Sequence, residues 1–122
     1  IILFIINFTM PHIKLEHTKD LELTEIESIF IELINTLVES INIKQQNCKC
    51  KSIHIPIAPK INHFSHVEIS ILKGRSNSIK KKIGEKMLMI LKKSNEKNNK
   101  HEQFSIEIRD INPKHYFTSN TL

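Results

Sequence analysis

Two parts of the chain repeat the same order of polar and apolar positions. In each part a short alternating segment comes first, a longer segment with apolar residues at helical spacing follows, and another alternating segment ends the unit. Alternation predicts a half-buried strand, whereas apolar residues that recur about every three to four positions predict an amphipathic helix. The predicted order is therefore β-α-β twice, with strands at residues 12–16, 48–55, 64–71 and 104–109.

Each predicted helix carries one apolar face. The first begins at Thr24-Glu25-Ile26-Glu27, which fits a capping box, and its apolar positions recur over residues 26–41. The second follows the turn at residues 74–76 and directs the apolar positions of residues 79–91 inward. The polar residues 94–101 are expected to form a loop after the second helix. The outer face of this helix is expected to be solvated and carries Lys80, Lys81, Lys82, Lys86, Lys92 and Lys93.

The predicted fold class is α+β, a two-layer sandwich of duplicated β-α-β units in which a four-stranded sheet carries both helices on one face. A crossover through a helix predicts parallel pairing within each unit. Prolines in residues 56–59 end the second strand because proline has no N–H for a strand ladder. A loop or small hairpin around residues 57–63 is expected to separate the two units.

Composition narrows the class of protein without choosing a function. The 122 residues suit one domain, and 39% hydrophobic with 25% charged residues is typical of a globular protein. The net charge of +5 favours an anionic partner, which leaves nucleic acid, an acidic membrane surface and a small polycarboxylate open. One tyrosine and no tryptophan leave little to stack on nucleic-acid bases, and a nucleic-acid domain would rest on charge alone. Cys48 and Cys50 are expected to be reduced thiols.

The first residues raise the question of where the mature chain starts. Residues 1–8 are apolar but too short to cross a bilayer, and they lack the basic segment and cleavage site of a signal peptide. We therefore expect no membrane partner and a cytoplasmic location. Met10 is the first methionine, so we expect residues 1–9 to be a non-native upstream extension and residues 10–122 to form a single domain.

Three segments, in this order, resemble the 5-carboxymethyl-2-hydroxymuconate isomerase family. They are MPHIKLE at residues 10–16, FSHVEISILKGRS at residues 64–76, and residues 104–120 with their Asn112-Pro113 turn. The family belongs to the tautomerase superfamily, which also holds 4-oxalocrotonate tautomerase and macrophage migration inhibitory factor. The resemblance implies the doubled β-α-β fold, an enzyme that needs no cofactor, and a homotrimer. It also implies a role in the breakdown of aromatic compounds. No metal site is expected, because neither His63-x-x-His66 nor Cys48-x-Cys50 has the usual spacing of metal ligands.

The resemblance further implies the residues that carry the chemistry. Removal of Met10 would make Pro11 the amino terminus, and its ring nitrogen would act as general base in a 1,3-proton shift between an enol and its conjugated ketone. A nearby cation and burial both lower the pKa of an amine, which keeps such a base deprotonated near neutral pH. Arg75 would hold an anionic oxygen of the substrate. It lies between Gly74 and Ser76 at a predicted helix start, where backbone donors also favour an anion.

The sequence departs from the family on the second strand. The family carries an arginine there, whereas this chain offers Lys49 and Lys51, which keep the charge but lose the planar two-pronged grip on a carboxylate. We expect one of them to contact a small carboxylate substrate, and a solvated strand lysine remains the alternative. The missing arginine also leaves a second hypothesis open, a catalytically inactive family member that serves as a binding protein. His12 is expected to form a structural hydrogen bond.

Overall fold

Four strands form one mixed sheet in the structure, a computed structural model that describes residues 11–97 and 102–119. The elements are β1 (His12–His17), α1 (Leu23–Ile41), β2 (Lys49–His54), β3 (Phe64–Leu72), α2 (Asn77–Lys97) and β4 (Gln103–Ile111). Two short 3-10 turns cover Gln45–Asn47 and Pro113–His115. The expected upstream extension at residues 1–9, and Met10 with it, lie outside the described residues.

The strand order β2-β1-β3-β4 joins two parallel pairs through one antiparallel pair. The β1 and β2 strands are parallel, and so are β3 and β4, which confirms the pairing predicted for each β-α-β unit. The central strands β1 and β3 are antiparallel, so the start of β1 lies beside the end of β3. No regular element forms between β2 and β3, which confirms a loop there rather than a hairpin.

Both helices cover one face of the sheet, and the predicted α+β two-layer fold is confirmed. Alternate residues of β1 and β3 point into the layer between sheet and helices because successive strand side chains lie on opposite faces. The buried cluster consists of Ile13, Leu15, Val67, Ile69 and Ile71 from the sheet, Ile29, Leu33, Leu37 and Ile41 from α1, and Ile83, Met87 and Leu91 from α2.

The predicted start of α1 is wrong. The helix begins at Leu23 after Glu22, and the N–H of Ile26 donates to the carbonyl oxygen of Glu22 at 3.1 Å. Thr24 therefore lies inside the first turn, where it cannot act as the cap of a capping box. Leu21 packs against the core just before the helix, so tertiary packing brings the chain into helical geometry earlier than the capping pattern indicates.

The predicted end of α2 is also wrong. The helix continues through Lys97 instead of ending before residue 94, and residues 98–101 lie outside the described part of the chain. Residues 94–97 contain neither glycine nor proline, so nothing in their chemistry stops a helix that is already formed. One lysine of the outer face is not solvated as expected, because Lys80 Nζ lies 2.7 Å from Asp110 Oδ1 on β4.

The sheet face opposite the helices carries a chain of charged contacts. Glu68 on β3 forms ion pairs with Lys14, at an N–O distance of 3.5 Å, and with Arg109, at 3.7 Å. Arg109 also lies 3.2 Å from Glu107, and His66 pairs with Ser105 at 2.6 Å. This open face is therefore mixed in charge rather than apolar.

Candidate active site

Pro11 and Arg75 lie at the same end of the sheet. His12 pairs with Ser70 in the antiparallel ladder, which places Pro11 beside Ile71. β3 ends one residue later, and the turn that holds Arg75 leaves from that end. The structure thus places the two residues that the sequence predicts to be catalytic at one end of the sheet, and Pro11 is buried.

Arg75 lies in the turn between β3 and α2, with Gly74 before it and Ser76 after it. Gly74 has φ of 121°, a backbone region that other residues rarely adopt, so a tight turn explains the glycine. The hydroxyl of Ser76 accepts a hydrogen bond from the N–H of Ile79 at 3.2 Å and caps α2. The first-turn N–H groups of α2 lie just beyond Arg75 and have no partner inside the helix.

The guanidinium of Arg75 has an unsatisfied donor. Its Nε is buried and has no hydrogen-bond partner among the residues that the structure describes. A buried donor without an acceptor costs about 1–3 kcal/mol. An anionic oxygen at this position would accept a charge-assisted hydrogen bond from Nε.

Lys49 and Lys51 lie elsewhere around Pro11. The backbone N–H of Lys49 donates to the carbonyl oxygen of Pro11 at 3.0 Å. In the parallel ladder Lys49 pairs with His12 and Lys51 pairs with Lys14, so both side chains share the open sheet face with those residues. No described contact joins either lysine to Arg75, which belongs to the turn into the helix layer.

His12 experiences the positive charge of both lysines. Burial, then Lys49, then Lys51 lower the pKa of its imidazole below the usual value. Its Nε2 lies 2.7 Å from the hydroxyl oxygen of Tyr116, which confirms the expected structural hydrogen bond. His12 therefore lies in a locally positive environment on the open sheet face, one residue after Pro11.

Tyr116 was missed by sequence reasoning. The Asn112-Pro113 turn was the available signal, since an asparagine followed by proline favours a chain reversal. Asn112 accepts from the N–H of Lys114 at 3.0 Å, and the chain then turns back so that Tyr116 reaches β1.

Replacing Lys49 or Lys51 with alanine is expected to raise the pKa of His12, because each cation disfavours the imidazolium. The larger rise is expected for Lys49. An NMR titration of the His12 ring measures it, with Lys60→Ala in the loop after β2 as the matched control. Since the folded pKa lies below the usual value of about 6.5, His12 contributes stability above about pH 6.5 that is lost as the pH falls through the folded pKa. An unchanged His12 titration in both variants would contradict this field.

The two cysteines offer no nucleophile to the site. Burial, and then the neighbouring Cys50, raise the pKa of Cys48 to about 11, and burial raises the pKa of Cys50. Both are free thiols at neutral pH. Within residues 11–97 and 102–119 no three histidine, cysteine or acidic side chains are grouped as metal ligands.

Several solved structures share this arrangement of strands and helices. A 5-carboxymethyl-2-hydroxymuconate isomerase from Deinococcus radiodurans R1 matches with a TM-score of 0.76 at 20% identity, covering 92% of this chain and 90% of that chain. A fused 4-OT wild type symmetric trimer matches at 0.73 and 14% identity over 89% and 92% of the two chains. A macrophage migration inhibitory factor-like protein from Entamoeba histolytica matches at 0.71 and 14% identity over 90% and 96%. The protein has the α+β fold of the tautomerases.

The sequence itself identifies the family. The family model for 5-carboxymethyl-2-hydroxymuconate isomerase matches residues 11–122, so the chain belongs to the 5-carboxymethyl-2-hydroxymuconate isomerase family, as the resemblance indicates. A comparison with curated proteins finds no match. No helix in the described part of the chain is long and apolar enough to cross a membrane.

Proposed function

We propose that this protein is a cofactor-independent tautomerase that catalyses a 1,3-proton shift on an unsaturated polycarboxylate such as 5-carboxymethyl-2-hydroxymuconate. The observation that carries the proposal is the buried, unsatisfied Nε of Arg75 at the sheet end where Pro11 lies. A site with a base and an unpaired cation suits an anionic substrate whose reaction only moves a proton. Membership of an isomerase family supports the same chemistry.

Pro11 supplies the base in this proposal. The match to the family begins at residue 11, which supports a chain that starts at Met10 and whose first residue is Pro11 once that methionine is removed. The free ring nitrogen takes the proton of the enol hydroxyl and returns a proton to a carbon of the same conjugated chain. The O–H bond breaks and a C–H bond forms, while the enol C–O bond becomes C=O and the C=C bond beside it becomes a single bond, so atoms and electrons balance and no cofactor is required. Burial of Pro11 would lower the pKa of this amine, because burial disfavours the charged form.

Arg75 and its turn bind the substrate. The guanidinium would hold a carboxylate or the developing enolate oxygen, with charge-assisted hydrogen bonds that suit a planar oxygen pair. Gly74 sets the turn and Ser76 fixes the start of α2, so both position the anion site. Lys49 and Lys51 would attract a second carboxylate from the open sheet face.

We also propose a homotrimer in the cytoplasm that acts in the breakdown of aromatic compounds. One fold relative is a fused 4-OT trimer, which supports three copies. The open face with its ion pairs would be available to neighbouring copies. A native mass of one or two chains would contradict the trimer.

The test of function is the absorbance of 2-hydroxymuconate in the presence of the purified protein. The proposal expects a catalysed loss of enol absorbance, compared with buffer and with heat-unfolded protein. Rates equal to buffer would remove the enzymatic assignment. Binding of the dicarboxylate without turnover would then favour the alternative, an inactive family member that acts as a binding protein.

A further inference from the structure

The contact between His12 and Tyr116 joins residues 104 positions apart beside Pro11. Nε2 of His12 lies 2.7 Å from the Tyr116 hydroxyl, and the two rings meet edge to face with centroids 5.7 Å apart. Both side chains are half-buried. The 3-10 turn Pro113–His115, capped by Asn112, fixes the chain reversal that brings Tyr116 there.

The direction of this hydrogen bond depends on which ring nitrogen of His12 carries the proton. With the proton on Nδ1, Nε2 is an acceptor and the Tyr116 hydroxyl donates to it. Donation to Nε2 leaves the imidazole proton on Nδ1, because a neutral ring carries one proton. Nδ1 has no hydrogen-bond partner in the part of the chain that the structure describes.

The surroundings favour a neutral ring. The charged groups that face His12 are Lys49 and Lys51 on β2, and Lys14 on its own strand, which is paired with Glu68 on β3 at 3.5 Å. Lys49 and Lys51 oppose an imidazolium, and partial burial acts in the same sense. His12 therefore presents a neutral N–H donor directly after Pro11 in the chain.

We propose that His12 is a further substrate-binding residue of this site and that Tyr116 is the residue that positions it, so that Nδ1–H donates to a carboxylate or enolate oxygen of the substrate. This inference rests on the proposed function. The lysines attract the anion without fixing its angle, since an ammonium is a rotatable point charge. A ring held by Tyr116 supplies a donor of fixed direction and so contributes to substrate specificity.

The tautomer is measured without substrate, by ¹⁵N NMR of the imidazole at pH 8. The wild-type protein is expected to carry the proton on Nδ1 of His12. Tyr116→Phe is expected to shift the ring to a mixture of tautomers, because phenylalanine cannot donate to Nε2. Phe117→Leu is the matched control, since Phe117 is the next residue and is 79% exposed.

The kinetic test uses 2-hydroxymuconate as the probe. Tyr116→Phe is expected to raise KM about fivefold with kcat within about twofold, the effect of losing one oriented hydrogen bond. His12→Asn keeps a donor near the Nδ1 position and should retain most of the affinity, whereas His12→Gln moves the donor to the Nε2 position and should show the same loss as Tyr116→Phe. Thermal unfolding of each variant verifies that the fold is intact.

Four outcomes separate the two proposals. The inference is overturned if Nε2 of His12 carries the proton in the wild-type protein. It is also overturned if Tyr116→Phe changes neither the tautomer of His12 nor KM. In both cases the proposed function stands. Equal loss in His12→Asn and His12→Gln also overturns the inference, because the position of the donor would not matter. A wild-type protein with the expected tautomer but no turnover overturns the proposed function and leaves the pairing of His12 and Tyr116 supported.

Discussion

Replacing Pro11 with alanine is expected to lower kcat by about 100-fold or more in the 2-hydroxymuconate assay. A positioned general base contributes about 100- to 10,000-fold to a proton transfer. Alanine leaves an amine at the same place but removes the rigid ring that fixes the nitrogen's direction. Pro11 is buried at the start of β1, so a small loss of stability is expected as well.

Pro59→Ala is the matched control for this variant, because Pro59 is exposed in the loop after β2. Its rate should stay within about twofold of the wild-type rate. Intact mass verifies that each variant begins at residue 11. A Pro11→Ala rate close to that of the control would remove Pro11 as the base.

Replacing Arg75 with alanine is expected to lower kcat/KM by about 100-fold. A hydrogen bond to a charged group contributes about 1.5–3 kcal/mol, and about 1.4 kcal/mol corresponds to tenfold. Arg75→Lys keeps the charge but loses the planar fork, so it should recover only part of the loss. Lys92→Ala, an exposed cation near the other end of α2, removes the same charge and is the control.

The thermal stability of the Arg75→Ala variant shows whether Arg75 binds an anion or holds the fold together. Because Nε of Arg75 has no described partner, Arg75→Ala should unfold without ligand at the wild-type temperature or slightly above it. A saturating dicarboxylate should raise the unfolding temperature of the wild-type protein and not of the variant. A variant that is strongly destabilised without ligand would show that Arg75 holds the fold.

The periodic parts of the fold were predictable, and its boundaries were not. The apolar faces of α1 and α2 and the alternation of the strands follow from local geometry. The Thr24 capping box was wrong because packing of Leu21 starts α1 earlier, and the predicted loop from Ser94 was wrong because polar residues without glycine or proline extend a helix. Lys80 was expected in solvent because Asp110, its ion-pair partner on β4, is far away along the chain and leaves no signal near Lys80 in the sequence.

The arrangement of the candidate site was only partly predictable from the sequence, and the roles of its residues stay predictions. Sequence pattern does not choose how the two β-α-β units pair, and the antiparallel contact of β1 and β3 is what places Pro11 near the Arg75 turn. The register of β2 against β1 decides which face of the sheet carries the side chains of Lys49 and Lys51. A shift of one residue would move both to the helix-covered face. Tyr116 was missed because a tertiary contact with His12 leaves no periodic signal.

The most direct test compares two versions of the chain, one that begins at Pro11 and one that retains residues 1–10, with the amino-terminal residue of each verified by intact mass. With residue 10 attached, the Pro11 nitrogen is an amide and has no basic lone pair. The account predicts turnover of 2-hydroxymuconate by the first version and background rates for the second. Equal turnover by both versions would contradict the claim that the ring nitrogen of Pro11 moves the proton.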